Sequence, residues 1–342
     1  MLLIASLLAS MAPSAPLAAA TGEYSITGYI PTQGGAWDYA VIDPKAGRLY
    51  LAQAGVTAID LKTQRVTLGL VTAKGSHGLA LLGNGAVAVD DSQAKTITVF
   101  DGASGKILSV ISTVDRNPVD GPHALDALVL EPRTGLLAAL NGESGLLLLV
   151  DLQQSRVVGT VTVGGHPEFA AADGTGKLLI NINHGKTSEI VAVDVASRAV
   201  TRHIPMRGCE EATGMAFDEA THLVLSVCGN GLLKVIDESA GRVVASVAVG
   251  EGADAVMFDP KRRRAFVAGA ESGTLSVVAV RSAGDVALIQ TLAVPKGTRL
   301  GAVDVDTGCL YLPTAKFGPP KPPIPYPSVR PGTFEFLIVA PG

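Results

Sequence analysis

From residue 36 onward, short apolar runs alternate with polar turns in one repeating order. An apolar strand leads into an acidic turn, a second apolar strand, a polar loop, a third strand ending near Asp, and a fourth strand. The first strand and its turn read "DYAVIDPKAGRLYL" from residue 38, "GLALLGNGAVAV" from 78, "DALVLEPRTGLLAAL" from 126 and "EFAAADGTGKLLIN" from 168. They return as "TGMAFDEATHLVLS" from 213, "DAVMFDPKRRRAFV" from 254 and "RLGAVDVDTGCLYL" from 299. Anchored on Asp43, Leu82, Glu131, Asp173, Asp218, Asp259 and Asp304, the units recur about every 40–50 residues, the period of a four-stranded propeller blade. The pattern predicts an all-β, seven-bladed β-propeller of four-stranded antiparallel blades.

The third strands repeat the motif most plainly: "VTAID", "TITVFD", "LLLLVD", "EIVAVD", "LLKVID" and "TLSVVAV". Val, Ile and Thr fill the strands while Gly, Asp and Asn collect in the turns, as hairpins require. No amphipathic helical pattern of ten residues or more interrupts them. The seventh unit has only three strands of its own, near 300–304, 309–313 and 333–340, and "EYSITGYI" at 23–30 belongs to no unit. Pairing that segment as the outer strand of the last blade closes the ring and leaves no long sheet edge open. One propeller domain then accounts for residues 21–342.

Two stretches, "GRLYLAQAGVTAID" and "HLVLSVCGNGLLKVID", look like the YVTN-type repeat. The run from "GCEEATGMAFDEATHLVLSVCGNG" through "AESGTLSVV" and "CLYLPTAKFGPP" resembles the YncE-like family of exported bacterial β-propellers. The likeness spans the chain beyond its first residues and is strongest over 205–318. It implies a seven-bladed propeller in the periplasm or outside the cell, and single-stranded DNA binding has been reported for one member.

Composition narrows the function classes. Aromatic residues are 4% of the 342 residues and the formal net charge is −4, so neither a base-stacking platform nor a basic footprint for nucleic acid is expected. The one basic run, Lys261 to Arg264, reads as a solvated hairpin tip. "LLIASLLASM" followed by "PLAAA" reads as a signal peptide over residues 1–20, cleaved near Ala20. The mature protein is expected to be periplasmic or extracellular, monomeric and without a membrane span. An oxidising compartment makes Cys209 and Cys228, one strand down and one strand back from each other, an expected disulfide, with Cys309 left as a buried free thiol.

The propeller frame also sorts the polar residues. Inbound loops before each first strand share one face with the loops between second and third strands, and binding residues of such scaffolds sit on loops. The inbound positions hold Trp37, Asp38, His77, His123, Asp126, His166, Glu168, Asp254 and Arg299. Asp90, Asp91, Asn141, Glu143, Asn183, His184, Asn230, Glu271 and Lys316 fall in the other loops of that face, where the proline-rich "FGPPKPPIPYPSVRP" also reads as an extended spacer. Trp37, Asp38, His77, His123, Asp126, His166, Glu168, His184, Asp254 and Arg299 are the candidate rim for a small molecule or a protein partner. Histidines beside carboxylates make a transition metal on His77, His123, His166 and His184 the one cofactor candidate, with a metal-dependent hydrolase or lactonase as the enzymatic alternative. No GxSxG elbow, P-loop or HExxH spacing is present, "SHG" at 76–78 reads as a turn, and Asp90-Asp91 and Glu210-Glu211 read as solvated turns. A binding scaffold without chemistry of its own is therefore the leading expectation.

Overall fold

The computed structural model describes residues 23–320 and 327–342, so the expected signal peptide over residues 1–20 and the middle of the proline-rich stretch lie outside the described residues. Seven four-stranded antiparallel sheets form the blades. Blade 1 comprises Ala40–Asp43, Arg48–Ala52, Val56–Asp60 and Val66–Val71, and the same order repeats through blade 6, which ends at Asp285–Ala293. Blade 7 runs outward from Ala302–Val303 through Leu310–Thr314 and Glu335–Pro341 to Tyr24–Pro31. The N-terminal strand pairs with the C-terminal one from Tyr24 opposite Pro341 to Pro31 opposite Glu335, which closes the ring as the strand count predicts. Among the described residues the only helix is a 3-10 turn, Val114–Arg116, and no helix is long and apolar enough to cross a membrane.

The middle strands are apolar at nearly every position because each blade is covered on both faces. In blade 3, Leu137, Ala139, Leu148 and Val150 point toward blade 2, whereas Ala138, Leu140, Leu147 and Leu149 point toward blade 4. One such buried cluster fills every junction between blades, including that between blades 7 and 1, where Leu49, Leu51 and Ile59 meet Phe334 and Phe336. Each fully buried Leu contributes about 1.5–3 kcal/mol, so the ring is held by many similar layers. Near the channel the blades come closest. A Cβ at Gly78 would stand 2.7 Å from the backbone nitrogen of Leu128, and one at Gly214 would stand 2.5 Å from the Cα of Ala255.

The basic run is a hairpin tip, but not a solvated one. Arg263 forms a two-pronged pair with Asp218 of blade 5, at 2.7 and 2.5 Å. Arg262 pairs with Asp259 at 2.9 Å and donates to the carbonyls of Val305 and Asp306 in blade 7, while Lys261 pairs with Asp306. The run clasps three blades, which explains its charge without a nucleic-acid partner. Cys209 and Cys228 are joined as a disulfide across a sequence separation of 19, with both residues fully buried in the junction of blades 4 and 5. Cys309 is a free thiol and is only half-buried, because it sits where the hairpin turn enters its strand rather than within it.

Candidate functional site

The residue five positions before each acidic-turn anchor is Asp38, His77, Asp126, Glu168, Thr213, Asp254 and Arg299 in blades 1 to 7. Each stands where its blade's innermost strand begins, so one side chain per blade converges on the channel mouth. The next position holds Tyr39 in blade 1 and Phe169 in blade 4, nearly opposite in the ring, and their rings meet at 4.7 Å. This aromatic pair bridges blades 1 and 4 next to the polar ring.

Around blades 1 to 3 the ring is tightly connected. His77 Nδ1 lies 2.9 Å from Asp38 Oδ2 and 3.8 Å from Asp126 Oδ1. His123, in the inbound loop of blade 3, places its Nδ1 3.1 Å from the same Asp126 oxygen, and the two imidazole rings are 5.3 Å apart. Asp126 is buried and its backbone N–H donates to Leu140, whereas His123 is half exposed toward the mouth. Asp90 lies fully buried behind His77, whose backbone N–H and that of Gly78 both donate to its Oδ1. It is therefore no solvated turn. Its Oδ2 has no hydrogen-bond partner among the described residues.

On the far side of the ring, Arg299 pairs with Asp254 at 3.3 Å and donates to the Trp37 carbonyl at 2.8 Å. Asn183 donates to Glu168 at 3.1 Å. These few donors leave the carboxylates crowded. Burial, reinforced by the charge of Asp126, raises Glu168 to about 7. Burial raises Asp254 to about 6 against the opposing charge of Arg299. Burial also raises Asp126 and, much further, Asp90. For His77, burial disfavours the cation, but Asp38, then Asp90 and Asp126, outweigh it and raise the pKa to about 9. The Tyr39 hydroxyl is pushed well up by burial and then by Asp254, Asp126, Asp38 and Glu168, which places it among all four acids. Carboxylates forced together at one site titrate as a group rather than singly.

The structure thus joins Asp38, His77, His123 and Asp126 directly, with Glu168, Asp254 and Arg299 completing the ring. It does not bring His166 or His184 into that contact. His166 Nδ1 donates to the Gly142 carbonyl at 2.9 Å, and His184 pairs with Glu189, which also binds His203. Trp37 is not a rim side chain. Its large apolar ring is buried against Phe317 and Phe334, beside the ribbon formed by Phe317–Pro320 and Pro327–Val329, and only its carbonyl serves the site. Ser76 exchanges hydrogen bonds with the backbone of Gly55, a structural role rather than that of a nucleophile. Glu210 and Glu211 remain exposed beside the disulfide. Tyr39 is the member that the sequence pattern leaves out, marked only by its register next to Asp38; Asp90 falls on this face by its loop but is buried rather than solvated.

No protein-family model matches the chain, and none of the curated proteins does. Among solved structures it is similar to the hydrazine synthase of Kuenenia stuttgartiensis, with a TM-score of 0.66 and 14% identity over 80% of this chain and 91% of that one. A chain of the Mitotic Checkpoint Complex matches with a TM-score of 0.70 and 12% identity, covering 91% of this chain and 95% of that one. The Cps50 (Swd1) β-propeller domain of Myceliophteria thermophila matches with a TM-score of 0.69 and 13% identity, covering 94% and 100%. These likenesses, at 12% to 14% identity, concern the fold alone, and the protein is a seven-bladed β-propeller.

Proposed function

We propose that this protein is an exported binding propeller of the YncE-like type that holds a positively charged ligand at its channel mouth and performs no chemistry of its own. The observation that carries this reading is the ring itself. Four of its seven members, Asp38, Asp126, Glu168 and Asp254, are acids whose donors do not saturate them, against His77 and Arg299. A cation entering the ring offsets the burial and mutual repulsion that raise Asp126, Glu168 and Asp254, whereas a phosphate backbone adds to the repulsion, which counts against single-stranded DNA at this face. Export is supported by the apolar and small-residue pattern of residues 1–20 and by the buried disulfide.

Thermal melting with spermidine, zinc or calcium, and with citrate or phosphate, tests the reading. Cations should raise the midpoint, anions should not, and the double variant Glu168→Gln/Asp254→Asn should lose most of the gain from spermidine. A midpoint that no cation moves, or a gain unchanged in the variant, refutes a cationic mouth.

One observation favours a second reading, a metal-dependent hydrolase. Glu168, with its pKa near 7, feels the charges of Asp126 and His123 at the mouth, and general bases work best near the operating pH. Hydrolysis of lactones or esters by zinc-treated protein, lost in Glu168→Gln, would favour it over the scaffold.

A further inference from the structure

We propose that His77, His123 and Asp126, bordered by Asp38 of blade 1, form a three-ligand divalent transition-metal site of the zinc class at the junction of blades 2 and 3. The proposal rests on the cationic-mouth reading and identifies the cation. One ligand atom from each of His77, His123 and Asp126 lies within 4.8 Å of the others. Asp126 Oδ1 sits between the two imidazoles, 3.1 Å from His123 Nδ1 and 3.8 Å from His77 Nδ1, and Asp38 Oδ2 is 2.9 Å from the latter. Tetrahedral zinc with bonds of about 2.0–2.1 Å sets its donors roughly 3.3 Å apart, so the two imidazole nitrogens already stand near ligand spacing from the shared Asp126 oxygen.

The donor chemistry selects the metal. Two imidazoles suit zinc, copper or iron, whereas calcium and magnesium take oxygen ligands. Each short nitrogen–oxygen contact here is bridged by a proton on an imidazole nitrogen. Metal binding replaces it: a neutral ring moves that proton from Nδ1 to Nε2, and a protonated ring releases one to solvent. The frame is rigid where it must be. Asp126 is buried and held through its backbone to Leu140, and His77 is fixed from behind by the buried Asp90 carboxylate. His123 is half exposed, so one side of the site opens to the mouth and gives the ion a path. Behind the site, the fully buried Asp90 leaves its Oδ2 without a hydrogen-bond partner among the described residues. His166 and His184 are occupied elsewhere and form no part of it.

Titration calorimetry with zinc chloride on chelator-dialysed full-length protein, in a weakly coordinating buffer, tests the site. One zinc per chain should bind, with affinity falling by about 100-fold in His77→Ala and in His123→Ala but unchanged in His184→Ala. His123 is exposed, so His123→Ala should fold normally, and its circular dichroism and melting check that directly. Absent zinc binding, or binding equally strong in both His77→Ala and His123→Ala, overturns the site. If zinc fails while spermidine still raises the melting midpoint, the metal site falls and the cationic mouth stands. If neither cation acts, both readings fall.

Discussion

On the face built from hairpin turns, Asp60, Asp101, Asp151 and Asp194 each end a third strand and accept hydrogen bonds from the turn that follows. Thr63, Ser104, Gln154 and Ser197 supply the strongest of these bonds, and all four acids are held below the usual carboxylate range. At the channel mouth the residue type is the same and the situation is reversed. Glu168 and Asp254 face other acids, receive few donors and are pushed upward, the latter even with Arg299 alongside. The turn acids complete the fold, since their partners lie within three residues. The mouth acids sit where seven blades bring their first strands together, and the fold provides them too little positive charge. Under the proposed function, this surplus of buried acids is what a cationic ligand meets.

Substitutions on the two faces should therefore act in opposite directions. The largest loss is expected from Cys228→Ala, which opens the loop across the separation of 19 residues and should cost about 3 kcal/mol by denaturant unfolding under oxidising conditions. Arg263→Ala on the turn face leaves the buried Asp218 with Thr221 and backbone N–H donors alone and should cost about 2 kcal/mol in the same assay. At the mouth, Glu168→Gln keeps an acceptor for Asn183 and removes a repelled charge, so it should stabilise the cation-free protein by on the order of 1 kcal/mol at pH 8. A loss of stability there would show that the mouth acids are structural after all. Smallest of all, Ser104→Ala on the exposed Asp101 turn should change stability by less than about 1 kcal/mol.

Most of the fold was legible because its signal is local and repeated. The third strands of blades 1, 2, 3 and 5 in the structure, Val56–Asp60, Thr96–Asp101, Leu146–Asp151 and Leu232–Asp237, begin and end where the alternation of apolar runs and Asp turns places them. The closing strand was legible by elimination, since one strand lacked a blade and one blade lacked a strand. The site was legible only in its register. Asp38, His77 and Asp126 could be set on one face by counting, but the convergence of His123 on the Asp126 carboxylate depends on loop geometry that no period encodes. Trp37 was misplaced because position alone cannot tell a rim side chain from one folded inward onto Phe334. The Arg263 clasp was invisible for a related reason: its partner Asp218 lies one blade away in sequence and adjacent only in the ring.

The most direct test is the stability of cation-free protein across pH. Glu168 near 7 and Asp254 near 6 lie above their ordinary values, so their charging destabilises the fold as pH rises through that range. His77 near 9 has the opposite charge but the same sign of effect: its stabilisation is complete below its ordinary value and is lost as pH rises toward 9. The turn acids, lowered instead, lose their contribution only as the solution becomes more acidic than about pH 4. The account predicts that the melting midpoint in chelated buffer falls steadily from pH 5.5 to 9, and that zinc or spermidine restores much of the loss at the alkaline end. A midpoint that stays level or climbs over that range would contradict it.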